Sequence, residues 1–124
     1  MIFRQTRLVV ADNTGARVAQ CIGMLGHPQD EARIGRVIKV AIKEIKPSAP
    51  NLKVKPGQVH NALVIRQRQQ MGRSDGRVLR FDDNAVVLLT PDMKPLGTRV
   101  VGPVPQELRK GNWLKILSLS SKVI

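Results

Sequence analysis

Aromatic side chains are nearly missing from this chain. Among 124 residues only Phe3, Phe81 and Trp113 carry large rings, and there is no tyrosine. Its core must therefore be aliphatic. The scarcity also argues against base-stacking platforms of the RNA-recognition-motif or single-strand-binding kind, which need exposed rings. Cys21 stands alone, so no internal disulfide can form, and a reducing compartment fits. His27 and His60 are far from it and from each other, whereas a structural zinc site wants four ligands at tight spacing. No apolar run reaches 18 residues and no strongly amphipathic basic helix is present, so a membrane partner is not expected. No secretory apolar region opens the sequence. Also missing are a P-loop, a dinucleotide-binding glycine fingerprint and a nucleophile elbow. Asp82 and Asp83 are adjacent, and adjacent strand residues point to opposite faces. Turn bonding and pairing with an arginine suit them better than acid–base or magnesium chemistry. No catalytic residue, metal ligand or cofactor is expected.

Acids are scarce as well, and that turns attention to what is abundant. Twenty-one Lys and Arg face nine Asp and Glu, a net charge of +12, with a pI near 11.2. Such a balance favours a nucleic-acid partner. The excess is concentrated: residues 51–80 hold Lys53, Lys55, Arg66, Arg68, Arg73, Arg77 and Arg80 against the single acid Asp75. Hydrophobic residues make up 42%, which excludes general disorder, and the length predicts one domain over 1–124 with one core.

Period-2 patterning and turn residues divide the chain into strands. Thr6 to Ala11 reads as the first strand, and Asp12-Asn13-Thr14-Gly15 as a turn. Arg17 to Leu25 reads as a second strand closing a hairpin-like pair. Gly26-His27-Pro28 breaks it, and 29–33 read as a polar loop. Ile34 to Lys46 predicts a long third strand, with Ile38, Val40 and Ile42 on one face and Lys39 and Lys43 on the other. A Pro-rich loop from Lys46 to Asn51 and a Lys53-Val54-Lys55-Pro56-Gly57 turn lead to a fourth strand, Gln58 to Arg68. Val78 to Thr90 carries a fifth in two pieces. Gly97-Thr98-Arg99 and Gly102 to Pro105 read as loops. Gln106 to Arg109 reads as one helical turn with Pro105 at its first position. Trp113 to Leu119 is either a closing strand or a short helix. Five regularly spaced strands predict a mainly β protein built as a small barrel, which removes exposed sheet edges. A C-terminal loop-and-helix region runs over about 97–124.

One stretch organises this pattern. Ala62-Leu63-Val64-Ile65 and Ala85 to Leu89 are apolar runs, and between them lies an arginine-rich excursion that turns at Ser74-Asp75-Gly76. Stiff strands would hold the arginines still. Their bidentate forks suit phosphate.

Several ordered matches then point to a family. They are Val10 to Arg17, Val64-Ile65-Arg66, Asp75-Gly76, Arg80 to Ala85, Gly97 to Val104, Glu107-Leu108-Arg109 and Leu114 to Leu119. The chain resembles, end to end, the universal large-subunit ribosomal protein number fourteen family. The resemblance implies a five-stranded barrel with a protruding hairpin and short C-terminal helices. It implies a non-enzymatic, structural role in the large ribosomal subunit. The partners implied are large-subunit rRNA, neighbouring large-subunit ribosomal proteins, small-subunit rRNA across an intersubunit bridge, and a ribosome-silencing or anti-association factor. Candidate rRNA contacts are Arg7, Arg17, Lys39, Lys43, Lys53, Lys55, Arg66, Arg68, Arg73, Arg77 and Arg80. Candidates for the subunit-facing and factor-docking surface are Thr98, Arg99, Arg109, Lys115 and Ser118.

The chain departs from the bacterial-type pattern at Gly26 to Arg33, at Arg36, at Ser74 and in the tail Leu119 to Ile124. Val101 and Pro103-Val104-Pro105 look similar to mitochondrial members. The expectation is a mitochondrial ribosome, with a plastid or the bacterial cytoplasm as the alternative. Two rival functions remain: an extra-ribosomal basic module binding RNA or protein, and a small enzyme using Asp82 and Asp83.

Overall fold

The computed structural model describes residues 2–3, 5–24, 31–46, 54–111 and 113–124. In chain order the strands are β1 (Ile2–Phe3), β2 (Arg7–Val10), β3 (Ala16–Met24), β4 (Glu31–Ala32), β5 (Val37–Ile45), β6 (Val59–Arg66), β7 (Met71–Gly72), β8 (Val78–Leu79), β9 (Ala85–Leu89), β10 (Val100–Val104) and β11 (Ser120–Val123). A 3-10 helix spans Gln106–Gly111, and α1 spans Leu114–Leu119. The expected five-stranded barrel is present and closed, in the order β2-β3-β5-β6-β9. Four of its neighbouring pairs are antiparallel. The closing pair, β9 with β2, is parallel, with Val9 opposite Ala85 and Val10 opposite Val86.

Sequence pattern decides which barrel wall is covered. On β5, Ile38, Val40 and Ile42 point inward and are sealed, while Lys39 and Lys43 are exposed. That strict alternation marks a wall facing solvent. On β6 and β9 the alternation vanishes. Ala62, Val64, Val86 and Leu88 fill the barrel. Leu63, Ile65, Ala85, Val87 and Leu89 point the other way and are equally buried, under Val100, Val104, Leu108, Ile116 and Leu117. The continuous apolar runs in the sequence thus record strands packed on both faces. Cys21 is buried as a small apolar side chain within the barrel.

Four expectations need correction. Residues Glu31 and Ala32 are not loop: they form β4 and pair with β1, with Ala32 opposite Ile2 and Glu31 opposite Phe3, a distant partner that local polarity cannot reveal. The third barrel strand starts at Val37 rather than Ile34, because Gly35 turns the chain at φ +90°. The two pieces of the fifth strand belong to different sheets, since β8 pairs with β7 in a short ribbon and only β9 joins the barrel. The segment from Gly102 to Val104, read as loop, belongs to β10, which runs parallel to β11. Its register shifts between Val100 and Pro103, and Gly102 sits at φ +85°. An irregular edge of this kind accepts a proline that has no N–H to give. Over Trp113 to Leu119 the helix prevails, beginning at Leu114 and burying Ile116 and Leu117. The expected hairpin tip at 26–30, the Pro-rich loop at 47–51 and Lys53 lie outside the described residues.

Candidate nucleic-acid interface

The basic excursion leaves the barrel at Arg66 and returns at Ala85. Its arginines divide into two groups. Arg66 is turned inward: its Nε lies 3.2 Å from Asp83 Oδ1, and its Nη1 donates to the Val101 carbonyl at 3.3 Å. Only 7% of the residue is exposed. A Cβ on Gly102 would collide with this guanidinium, so the glycine leaves room for it as well as for its own positive φ. Arg73 also turns inward. Its Nε lies 2.8 Å from Glu107 Oε1, and its Nη2 donates to the Ile124 carbonyl at 2.6 Å. These two arginines fasten the excursion to the C-terminal region.

The remaining three stay outside. Arg68 is exposed, with its Nε donating to the Asp82 carbonyl at 2.9 Å. Arg80 is exposed beside the open cleft it forms with Arg66, Asp83 and Pro103. Arg77 is exposed and pairs locally with Asp75 at 2.6 Å. The Arg77 backbone N–H, followed by its side chain, holds the Asp75 carboxyl below the usual carboxylate range. The sequence showed one acid in this block, yet Asp83 and Glu107 reach in from outside it. The fold therefore neutralises charge that looked unopposed. Asp82 and Asp83 act as expected of turn and pairing residues, one lending its carbonyl to Arg68 and the other its carboxylate to Arg66.

A second group of cations lies on the barrel wall. Arg7 is opposite Gln20 and Gln20 is opposite Ala41, so these three share a face. Lys39 and Lys43 flank Ala41 on that same face at two-residue spacing, and Arg7, Lys39 and Lys43 are all exposed. Arg17 is exposed where β3 shifts register against β5 between Ala16 and Val18. Lys55 is exposed in the turn before β6.

The residues expected on the subunit-facing surface fall into separate settings. Lys115 and Ser118 sit one turn apart on α1, both exposed, with Ser118 Oγ donating to the Lys115 carbonyl at 2.6 Å. Thr98 and Arg99 are held by Asn13, from the turn between β2 and β3. Asn13 Oδ1 accepts from the Thr98 and Arg99 backbone N–H groups at 2.7 and 3.1 Å, and its Nδ2 donates to Thr98 Oγ1 at 2.7 Å. Gly97 permits this approach, because a Cβ there would come within 2.7 Å of Asn13 Oδ1. Arg109, exposed, lines a cleft of about 380 Å³ with Ser74, Asp75 and Glu107.

Beneath Asn13, Asp12 is almost fully buried. Its carboxylate accepts from Thr14 Oγ1 at 2.7 Å, from the Thr14 N–H at 3.2 Å and from the Leu88 N–H at 3.0 Å. Desolvation still wins and raises its pKa above the ordinary carboxylate value. Asp12 to Gly15 is a turn by its residue types alone. Its long-range role was invisible, because Thr98 is 85 residues from Asn13. Among the described residues, no three of His, Cys, Asp and Glu gather as a metal site.

Exposed cations on stiff strands, a barrel with one wall left bare, and a C-terminal cap on the other wall agree with the earlier resemblance. Residues 1–124, the whole chain, match the family model described as ribosomal protein L14p/L23e. The chain therefore belongs to the ribosomal protein L14p/L23e family, whose members are structural, non-enzymatic components of the large ribosomal subunit.

Proposed function

We propose that this chain holds large-subunit rRNA through fixed phosphate contacts and contributes to an intersubunit bridge. The outward cations carry the RNA contacts: Arg68, Arg77 and Arg80 on the excursion, Arg7, Lys39 and Lys43 on the bare barrel wall, and Arg17 and Lys55 at its turns. Arg66 and Arg73 support that surface from behind. The observation carrying this reading is that four of these cations, Arg7, Arg17, Lys39 and Lys43, are exposed on strands of the closed barrel, so little side-chain placement must be frozen on binding. Thr98, Arg99, Arg109, Lys115 and Ser118 meet small-subunit rRNA and a silencing or anti-association factor. Val101 and the Pro103-Val104-Pro105 run support a mitochondrial ribosome, with a plastid or the bacterial cytoplasm as the alternative.

Salt-stable sedimentation tests the reading. Tagged chain should remain with large subunits as salt rises, whereas loose electrostatic binding is lost by counterion competition. Arg80→Glu should weaken incorporation, and Arg99→Glu should spare incorporation while impairing subunit joining. A tag that moves to the top of the gradient in moderate salt overturns the proposal, and fractionation of organelles decides the compartment.

A further inference from the structure

On the bare barrel wall one amide stands among the cations, and its orientation is fixed. Gln20, on β3, lies directly between Arg7 on β2 and Ala41 on β5. Its neighbours Ala19 and Cys21 point into the barrel, so Gln20 points out. Lys39 and Lys43 lie diagonally across from it, on either side of Ala41. Strand geometry puts Arg7 about 5 Å from Gln20 and the two lysines roughly 7–8 Å from it, measured at the base of each side chain. The Arg7, Lys39 and Lys43 side chains are exposed and make no ion pair or hydrogen bond with the described residues. The one acid in β2, β3, β5 and β6 is Glu44, past Lys43 and opposite Val18.

Gln20 is half-buried, and its Nε2 donates to the Gln5 carbonyl at 3.2 Å. A carbonyl can only accept, so this bond settles which end of the amide faces it. Gln5 sits at φ +70°, where few non-glycine residues are found, and its N–H donates to the Cys21 carbonyl at 2.6 Å. The bent backbone at Gln5 thus meets the amide nitrogen, and Oε1 is left over. Oε1 has no hydrogen bond within the described residues and is not sealed from solvent.

The wall therefore offers a fixed acceptor ringed by three unpaired cations. A phosphodiester answers the cations but carries no donor, so a DNA backbone meets only half of the site. An RNA backbone meets both halves, since each ribose adds a 2′-hydroxyl donor. The other exposed side chains on these strands include Val9, Ile22 and Val59, and the four strands hold no Phe or Trp, so unstacked bases find no platform. The wall of a closed barrel is convex. In A-form RNA the minor groove is wide and shallow and displays the 2′-hydroxyls, whereas the major groove is too deep and narrow to enter.

We propose that this wall lies across the minor groove of an RNA duplex. Gln20 Oε1 accepts from a ribose 2′-hydroxyl, and Arg7, Lys39 and Lys43 meet phosphates of the flanking strands. This rests on the rRNA-binding reading and deepens it: the cations give affinity, and Gln20 distinguishes RNA from DNA.

The test is filter binding of the full chain to an RNA duplex, to the same duplex 2′-O-methylated on both strands, and to single-stranded poly(A). The methylated duplex keeps the phosphates and the A-form shape but loses the donor. The unmodified chain should bind the RNA duplex about fivefold more tightly than the methylated one, the scale of one hydrogen bond. Gln20→Met should abolish that difference while binding the methylated duplex as the unmodified chain does, which also shows an intact wall. Lys39→Gln should keep the difference and lower the salt slope by roughly 0.7–0.9. Equal binding of the two duplexes by the unmodified chain, an undiminished difference in Gln20→Met, or tighter binding to poly(A) than to the RNA duplex would each overturn the proposal. Weaker binding of Gln20→Met to every probe alike would make Gln20 a structural residue and overturn it too. Failure of the unmodified chain to bind any RNA probe would instead sink the broader reading.

Discussion

Inside the barrel, Ile38, Val40, Ile42, Val64 and Leu88 belong to one buried apolar cluster laced by main-chain ladders. Over the excursion, cohesion comes from Arg66 bridging Asp83 to the Val101 carbonyl and Arg73 bridging Glu107 to the Ile124 carbonyl. The first arrangement depends on volume and exclusion of water. The second depends on charge and on directional bonds made by partly buried groups. One region provides a rigid frame, and the other fixes a charged surface to it. Arginine serves the second region twice, inward as a fastener and outward as a cation.

The comparison can be broken hardest in the frame. Leu88→Ala should cost about 2–5 kcal/mol, the ordinary range for a large buried side chain cut back in a close-packed core. Urea unfolding measures it, and a loss below about 1 kcal/mol would mean that the barrel interior is not the stabilising centre. Arg66→Ala should cost less, about 1–3 kcal/mol, because Asp83 is 37% exposed and can turn to water once its partner is gone. Hydrogen exchange should show faster opening in β10 than in β5. Equal acceleration in both would make Arg66 part of the frame instead.

A third prediction concerns pH. Burial raises the Asp12 carboxyl above its ordinary 3.8, so the folded chain binds that proton more tightly than the unfolded one. The contribution is fully present below 3.8 and is lost as pH rises through the raised value. Comparing the unmodified chain with Asp12→Asn across acid titration, the difference should shift toward the unmodified chain as pH falls through that window. A difference flat in pH would show that Thr14 and Leu88 offset the burial completely. Asp75, held low by Arg77, acts in the opposite direction and is common to both chains. Smallest is Arg80→Gln, expected within about ±0.5 kcal/mol in stability. Its effect belongs in the salt slope of RNA binding, lower by roughly 0.7–0.9. A larger loss of stability would move Arg80 from the outward group to the fasteners.

Much of the barrel was legible because its signals are local. Lys39 and Lys43 between Ile38, Val40 and Ile42 disclosed a wall with one wet face. The unbroken run Ala85 to Leu89 disclosed a strand with none. The turn at Ser74-Asp75-Gly76 was equally plain: Gly76 takes φ +89°, and Asp75 accepts from the Arg77 N–H. β4, β10 and β11 were not legible as strands, since each is short and depends on a partner far along the chain.

By itself, the sequence determined the five-stranded frame, the basic character of the excursion and the family to which the chain belongs. Hydrophobic period, turn residues and ordered motifs are all properties of neighbouring residues. Only the tertiary structure decided which arginines face inward. Arg66 meets Val101 across 35 residues, and Arg73 meets Glu107 and Ile124 across 34 and 51. In sequence these arginines look the same as Arg68 and Arg80. A guanidinium takes its role from the carboxylates and carbonyls that the fold brings within 3 Å or so of it, and no local pattern encodes that distance.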